Sequence, residues 1–81
     1  MKIIKVTLCR TYYKLENGFA YPVGDISINA DNIIWFKESD YDVSTNDNLM
    51  KSNNATQIYF TNGTSVFVKE NIEKITHILL N

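Results

Sequence analysis

Cys9 and His77 are the residues from which covalent catalysis would have to be built in this chain, which holds one cysteine and one histidine. Such chemistry needs a thiolate or hydroxyl beside an imidazole that a carboxylate orients. His77 lies between Thr76 and Ile78 in an amphipathic stretch, where an imidazole complements the negative end of a helix. No motif of the cysteine-enzyme families surrounds either residue, so a non-enzymatic protein is expected. One Cys and one His cannot complete a tetrahedral zinc site. Asp40, Asp42 and Asp47 offer oxygens, but their segment lacks the central glycine and terminal glutamate of an EF-hand and reads as a solvated acidic loop. Gly18, Gly24 and Gly63 are far apart and none opens a helix ahead of Lys-Ser or Lys-Thr, so no phosphate-cradling loop is present. No cofactor and no metal are expected.

A different chemistry is offered by Arg10, Tyr12, Tyr13 and Lys14, which set cations beside aromatic rings. Single-stranded nucleic acid uses that combination for backbone attraction and base stacking. The broad field gives it no help, because the net charge is −1. Its distribution is uneven, however: residues 1–30 carry +2 and residues 31–55 carry −3. The same polarity suits docking of the basic hairpin of one copy on the acidic loop of another.

These residues must be positioned by a single domain spanning 1–81, since 81 residues leave no room for a second core. With 44% hydrophobic and 21% charged residues the composition is that of a folded globular chain. A lone cysteine closes no intramolecular disulfide, which favours a reducing compartment, the cytoplasm by default. The apolar run after Lys2 is broken by Lys5, Thr7 and Arg10, short of a signal-peptide core, and no run approaches the roughly 20 residues of a membrane crossing. Ten asparagines and ten isoleucines suggest AT-rich coding, as in a bacterium or its phage.

Lys2 to Cys9 is rich in β-branched residues and reads as a first strand, with Ile4, Val6 and Leu8 on one face. Asn17-Gly18 between Thr11–Tyr13 and Phe19–Tyr21 predicts a two-residue hairpin turn. Pro22 and Gly24 are expected to interrupt pairing before Asp25–Asn29 resumes, and Ala30-Asp31-Asn32 to make a tight connection. Ile33 to Lys37 reads as a buried strand, because Ile33, Ile34, Trp35 and Phe36 leave neither face for water. Ser39 to Ala55 is polar and predicts a long surface loop, either functional or slack. Gln57–Thr61, Asn62-Gly63 and Thr64–Val68 predict a second hairpin, with Tyr59 opposite Val66 and Ile58 opposite Phe67. In that register Ile58, Phe60 and Phe67 share one face and Tyr59, Val66 and Val68 the other. Asn71 as N-cap, Glu73 in the first turn and the stripe Ile72, Ile75, Ile78, Leu79 predict a terminal helix.

The run Ile28-Asn29-Ala30-Asp31-Asn32-Ile33, the segment Thr56 to Gly63, and Val66 to Asn71 followed by Ile72–Ile75 resemble the small flagellar-operon proteins of the FlbD/SwrD type. That pattern combines an INAD-like turn, a T-x-I-x-L-x-NG hairpin and a VKES-like start to the helix. The resemblance covers about half the chain. It departs where Asn71 replaces the capping serine, where Arg10–Gly24 is longer and where Ser39–Ala55 is added.

The fold expected is α+β: a small, mostly antiparallel sheet or partial barrel of about five strands with one C-terminal helix. A helix shields one face of the last hairpin, so the other is expected to meet another sheet or subunit. The function expected is a protein–protein interaction or assembly module, self-associating as a dimer through Tyr59, Val66 and Val68, with Trp35 as an aromatic anchor. The competing expectation is a nucleic-acid-binding regulator using Arg10, Tyr12, Tyr13 and Lys14.

Overall fold

The computed structural model describes residues 1–14, 17–43 and 54–81, excluding the side chains of Tyr13, Lys14 and Asn17. Strands β1 (Ile3–Lys14) and β2 (Asn17–Asn29) lead through a 3₁₀ turn (Ala30–Asn32) to β3 (Ile33–Val43). Then come β4 (Asn54–Phe60), β5 (Ser65–Val68) and the helix α1 (Ile72–Leu80). The architecture is α+β, a five-stranded and mostly antiparallel sheet with one C-terminal helix. One junction is parallel, the short β2–β3 contact at Phe19↔Asp42 and Ala20↔Val43. The strand order runs β1 to β5 and closes on itself, because β5 pairs with β1 at Leu8↔Val68 and Cys9↔Phe67.

β1 and β2, of 12 and 13 residues, form a long antiparallel ribbon. The predicted turn at Asn17-Gly18 is not where the chain reverses. Asn17 pairs with Lys14 and Gly18 with Tyr13, so both stand in the ladder. Pairing continues through Pro22 and Gly24 instead of stopping there. Leu8 pairs with Gly24 and Cys9 with Pro22, which leaves Val23 as the extra residue of a β-bulge. Gly24 takes a φ of +153° there, a backbone state that side chains resist. The bulge shifts the phase of β2. Ile28 and Ile26 face the core on even positions, whereas Phe19 and Tyr21 share a face on odd ones.

The second hairpin forms one residue out of the expected register. Ile58 pairs with Val66, Gln57 with Phe67 and Thr56 with Val68. Phe60 N–H donates to the Thr64 carbonyl and Gly63 N–H to the Phe60 carbonyl, so the loop has three residues, Thr61-Asn62-Gly63. Gly63 at φ +89° supplies the left-handed position that such a loop requires. A one-residue slip exchanges the faces of β5. Val68 is therefore fully buried and Val66 packs on the core, with Ile4, Val6, Ile28, Ile58 and Ile75. This corrects the expectation that Val66 and Val68 share an outer face with Tyr59.

Part of the outer side of β1, β4 and β5, around Cys9, Ala55 and Phe67, is covered by the chain itself. Cys9, Ala20, Val43 and Ala55 form a second buried cluster, joined by Tyr41 and Phe67, whose rings meet edge to face at 5.1 Å. The expected loop Ser39–Ala55 accordingly begins and ends in strands: Ser39 and Val43 are buried in β3, and Ala55 is buried in β4. Residues 44–53 lie outside the described residues. The run Ile33–Lys37 is a strand as expected, but it is not buried. Ile33 pairs with Phe60 and Trp35 with Tyr59, which leaves Ile34 as a bulged residue turned to water.

The helix forms as predicted. Asn71 caps it by accepting from Lys74 N–H at 2.8 Å, and Ile75 is fully buried with Ile78 and Leu79 beside it on the inner core. At nine residues it is too short to persist alone, so docking holds it. Lys2 Nζ donates to the Leu79 carbonyl at 2.8 Å and ties its end to the start of β1. No described helix is long and apolar enough to cross a membrane.

Candidate functional site

Among the described residues, two groups of aromatic side chains reach water, one on each side of the sheet. The first sits on the ribbon beyond the inner core. In the antiparallel ladder Arg10 lies opposite Tyr21 and Tyr12 opposite Phe19, and direct partners share a face. Tyr12 stacks on Phe19 with centroids 5.6 Å apart and planes 26° apart, and meets Tyr21 at 5.4 Å and 56°. Arg10 is exposed, and Tyr12 and Tyr21 are 38% and 39% exposed. Thr11 and Ala20 occupy the opposite face, where Ala20 is buried in the second cluster. The ribbon is therefore held from behind and carries its rings in front.

The second group sits on the outer face. Trp35 and Tyr59 stack almost parallel, 4.1 Å between centroids and 10° between planes. Lys37 Nζ lies 5.9 Å from the Trp35 ring centre, within cation–π range. Trp35 is 46% exposed and the bulged Ile34 57%. Gln57 Nε2 donates to Ser65 Oγ at 3.1 Å beside them, extending the patch with a polar rim.

Of the residues expected at a protein interface, Trp35 and Tyr59 are thus brought together, while Val66 and Val68 are withdrawn into the core. Of the nucleic-acid set, Arg10 and Tyr12 share a face; Tyr13 and Lys14 stand in β1 with side chains outside the described residues. Phe19, Tyr21, Ile34 and Lys37 complete these surfaces and went unremarked from sequence. The signal that could have found Phe19 and Tyr21 is the change from even to odd apolar positions across Pro22-Val23-Gly24.

The reactive groups stand apart. Cys9 is buried in the second cluster, and burial, reinforced by the Glu70 carboxylate and opposed by Lys69, pushes its thiol up to about 11. His77 is exposed on α1, its ring 3.2 Å from Asn81 Nδ2. Asp40 is exposed and Asp42 half-buried on β3, whereas Asp47 lies outside the described residues. No cluster of three His, Cys, Asp or Glu suited to a metal occurs among the described residues.

A trough of about 460 Å³ opens between the end of β2 and the second hairpin, lined by Ser27, Ile28, Asn29, Asn32, Phe60, Thr61 and Asn62. Two of its side-chain amide oxygens are committed to turns: Asn29 Oδ1 accepts from Asp31 N–H, and Asn62 Oδ1 accepts from the Thr64 N–H and hydroxyl. Glu70 makes a half-buried polar junction. Its carboxylate accepts from Thr7 N–H at 2.9 Å and from the Thr7 hydroxyl at 3.0 Å, and its carbonyl accepts from the buried Thr56 hydroxyl at 2.7 Å.

The motifs behind the FlbD/SwrD-type resemblance all do structural work here: the INAD-like run forms the 3₁₀ turn, Thr61–Gly63 the hairpin loop, and Lys69–Asn71 the step into α1. Comparison with known protein families, curated proteins and solved structures found no match.

Proposed function

We propose that this chain is a non-enzymatic interaction module of the cytoplasm of a bacterium or phage-infected cell, which contacts a protein partner, most simply a second copy of itself, through the outer-face Trp35–Tyr59 stack. The observation that carries the reading is a stacked Trp–Tyr pair whose tryptophan is left half in water beside an exposed isoleucine. Tryptophan and tyrosine dominate the energetics of protein interfaces because they bury large area at small entropic cost. A buried thiol held protonated and an exposed histidine whose ring contacts Asn81 favour binding over catalysis. An unpaired cysteine suits a reducing compartment.

Magnitude sets the strength of the contact. Trp35 and Ile34 together leave on the order of 200 Å² of apolar surface in water. Two copies face to face would bury about 400 Å², worth ~10 kcal/mol before association costs of about 4–15 kcal/mol. The patch is well below the ~800 Å² per partner of a standard interface. Self-association is therefore weak and concentration-dependent. Sedimentation velocity across the micromolar range tests it: the weight-average mass rises with concentration in the wild type and stays monomeric in Trp35→Ala with Ile34→Ser. A monomer at every concentration, together with no change in Trp35 fluorescence, would overturn self-association as the form of the contact.

A further inference from the structure

We propose that the front of the β1–β2 ribbon is a second self-contact, in which two copies meet face to face with Arg10 of each over Asp42 of the other and the rings of Tyr12, Phe19 and Tyr21 packed between them. The contact uses none of the Trp35–Tyr59 patch and stands without it. Three strands carry the face. Arg10 lies opposite Tyr21, Tyr12 opposite Phe19, and Phe19 opposite Asp42 of β3. Tyr41 and Val43, on either side of Asp42, join the second cluster at the back, which turns Asp42 to the front with the rings. Arg10 and Asp42 therefore stand at opposite corners of the ring row. They are two strands and two residues apart, about 12 Å at ~4.8 Å per strand and ~3.3 Å per residue.

The placement of the charges selects the occupant. Arg10 is exposed and Asp42 half-buried, and neither has a hydrogen bond or ion pair among the described residues. A patch with opposite charges at its two corners complements itself. A two-fold axis lying in the face, at right angles to the Arg10–Asp42 line and through its midpoint, forms both charge pairs at once and leaves no charge over a like one. Tyr12 and Tyr21, 38% and 39% exposed, leave on the order of 150 Å² in water, against ~800 Å² per partner in a standard interface. The contact is accordingly weak and forms at millimolar protein, above the micromolar range in which the outer patch is tested. An isologous contact closes on itself, so two of them on opposite sides of the sheet link copies into open strings; that consequence alone rests on the Trp35–Tyr59 reading.

The test starts from the chain carrying Trp35→Ala with Ile34→Ser, so that the outer patch contributes nothing, and adds Arg10→Asp and Asp42→Arg to it separately. Translational diffusion is measured by NMR on the parent, on each variant alone and on an equimolar mixture of the two, with the dispersion of the same spectra showing that each is folded. The expected result is diffusion of the parent that slows as its concentration rises and recovers in high salt. Each variant alone associates at least roughly tenfold more weakly, because like charges then face each other. The mixture returns to within about threefold of the parent, because the new carboxylate of one variant meets the new guanidinium of the other while the native pair is kept at the opposite corner. Where Asp42→Arg fails to fold, the parent decides, since ring protons of Tyr12, Phe19 and Tyr21 should shift with its concentration. Rings that stay still up to millimolar protein, single variants that associate as the parent does, or folded variants whose mixture remains monomeric would each overturn the proposal. Movement of these rings in dilute protein on adding oligothymidylate, with none on raising the protein concentration, would assign the face to nucleic acid and overturn it too. Failure of the outer patch shows separately, in the micromolar sedimentation of the wild type.

Discussion

Replacing Glu70 by alanine tests how the sheet closes. The β5–β1 ladder has only the pairs Leu8↔Val68 and Cys9↔Phe67. Lys69 N–H extends it by donating to the Thr7 carbonyl at 2.9 Å, and the Glu70 carboxylate then takes the Thr7 N–H that a further strand residue would have paired. A side chain thus acts as the last rung. Hydrogen bonds to an ionised group contribute about 1.5–3 kcal/mol each, and Glu70 makes two of them from Thr7. Glu70 is only half-buried, so screening reduces the expected total to about 2–3 kcal/mol. A domain of this size has a stability of roughly 4–12 kcal/mol, and each kcal/mol moves the melting midpoint by about 4–8 °C. Glu70→Ala should therefore lower the thermal midpoint by about 10–20 °C, with a matching fall in the urea midpoint at unchanged slope. Glu70→Gln keeps an acceptor for Thr7 N–H and offers an N–H to the Thr7 hydroxyl, so it should cost only about 1 kcal/mol. The double substitution with Thr7→Val should fall short of additivity, because both single changes remove the same hydroxyl contact. A loss below about 0.5 kcal/mol for Glu70→Ala, with unchanged hydrogen exchange at Thr7 and Lys69, would refute the side-chain rung.

The thiol of Cys9, held at about 11 in the fold against an ordinary 9.0, predicts a fall in stability with alkali. Between those values the unfolded chain has lost the proton that the folded chain keeps, so stability is full below pH 9 and declines toward pH 11, by at most about 1.4 kcal/mol per unit. Urea midpoints of the wild type compared with Cys9→Ala check it, since the difference between them should shrink steadily over that window. Ile75→Ala removes the one fully buried side chain of α1 and should cost about 2–5 kcal/mol, seen as loss of helical ellipticity at lower temperature. Asn71→Ala leaves Lys74 N–H without its cap and should cost about 1 kcal/mol, while Asn71→Ser should be nearly neutral in the same melt.

The helix was legible because its signals are local: a cap, an acidic first turn and a stripe at helical spacing agree within ten residues. The hairpins were legible as pairs of strands but not in register. Asn62-Gly63 favours a two-residue turn, yet Thr61 N–H finds the Asn32 carbonyl at 2.8 Å and the loop widens to three residues with Gly63 in the left-handed position. That contact comes from the 3₁₀ turn thirty residues upstream, and no local propensity encodes it. Asn17-Gly18 shows the same limit, since the cross-strand ring pair Tyr12–Phe19 fits a ladder that places both residues past the turn.

Burial was the harder quantity to read, because it is decided by what covers each face. The run Ile33–Phe36 looks buried from composition, but Ile34 is bulged out of the ladder and no described element lies over Trp35, so both are exposed among the described residues. Ala55 closes the stretch that reads as a polar loop, yet it and the neighbouring Thr56 point to opposite faces of β4 and both are fully buried. The second cluster, closed by the end of β3, accounts for Ala55, and the inner core with the Glu70 carbonyl accounts for Thr56. The same reasoning explains why the aromatic surfaces could not be assembled from sequence. Arg10 and Tyr12 sit two residues apart, but their partners Tyr21 and Phe19 reach that face only because Val23 is looped out of the ladder. Were Val23 paired in the ladder opposite Cys9, Pro22 and Ala20 would stand in front and Tyr21 and Phe19 would turn to the back, exchanging the ring row for small side chains. The candidate surface is thus a product of one bulge, and the residue that creates it carries none of the chemistry.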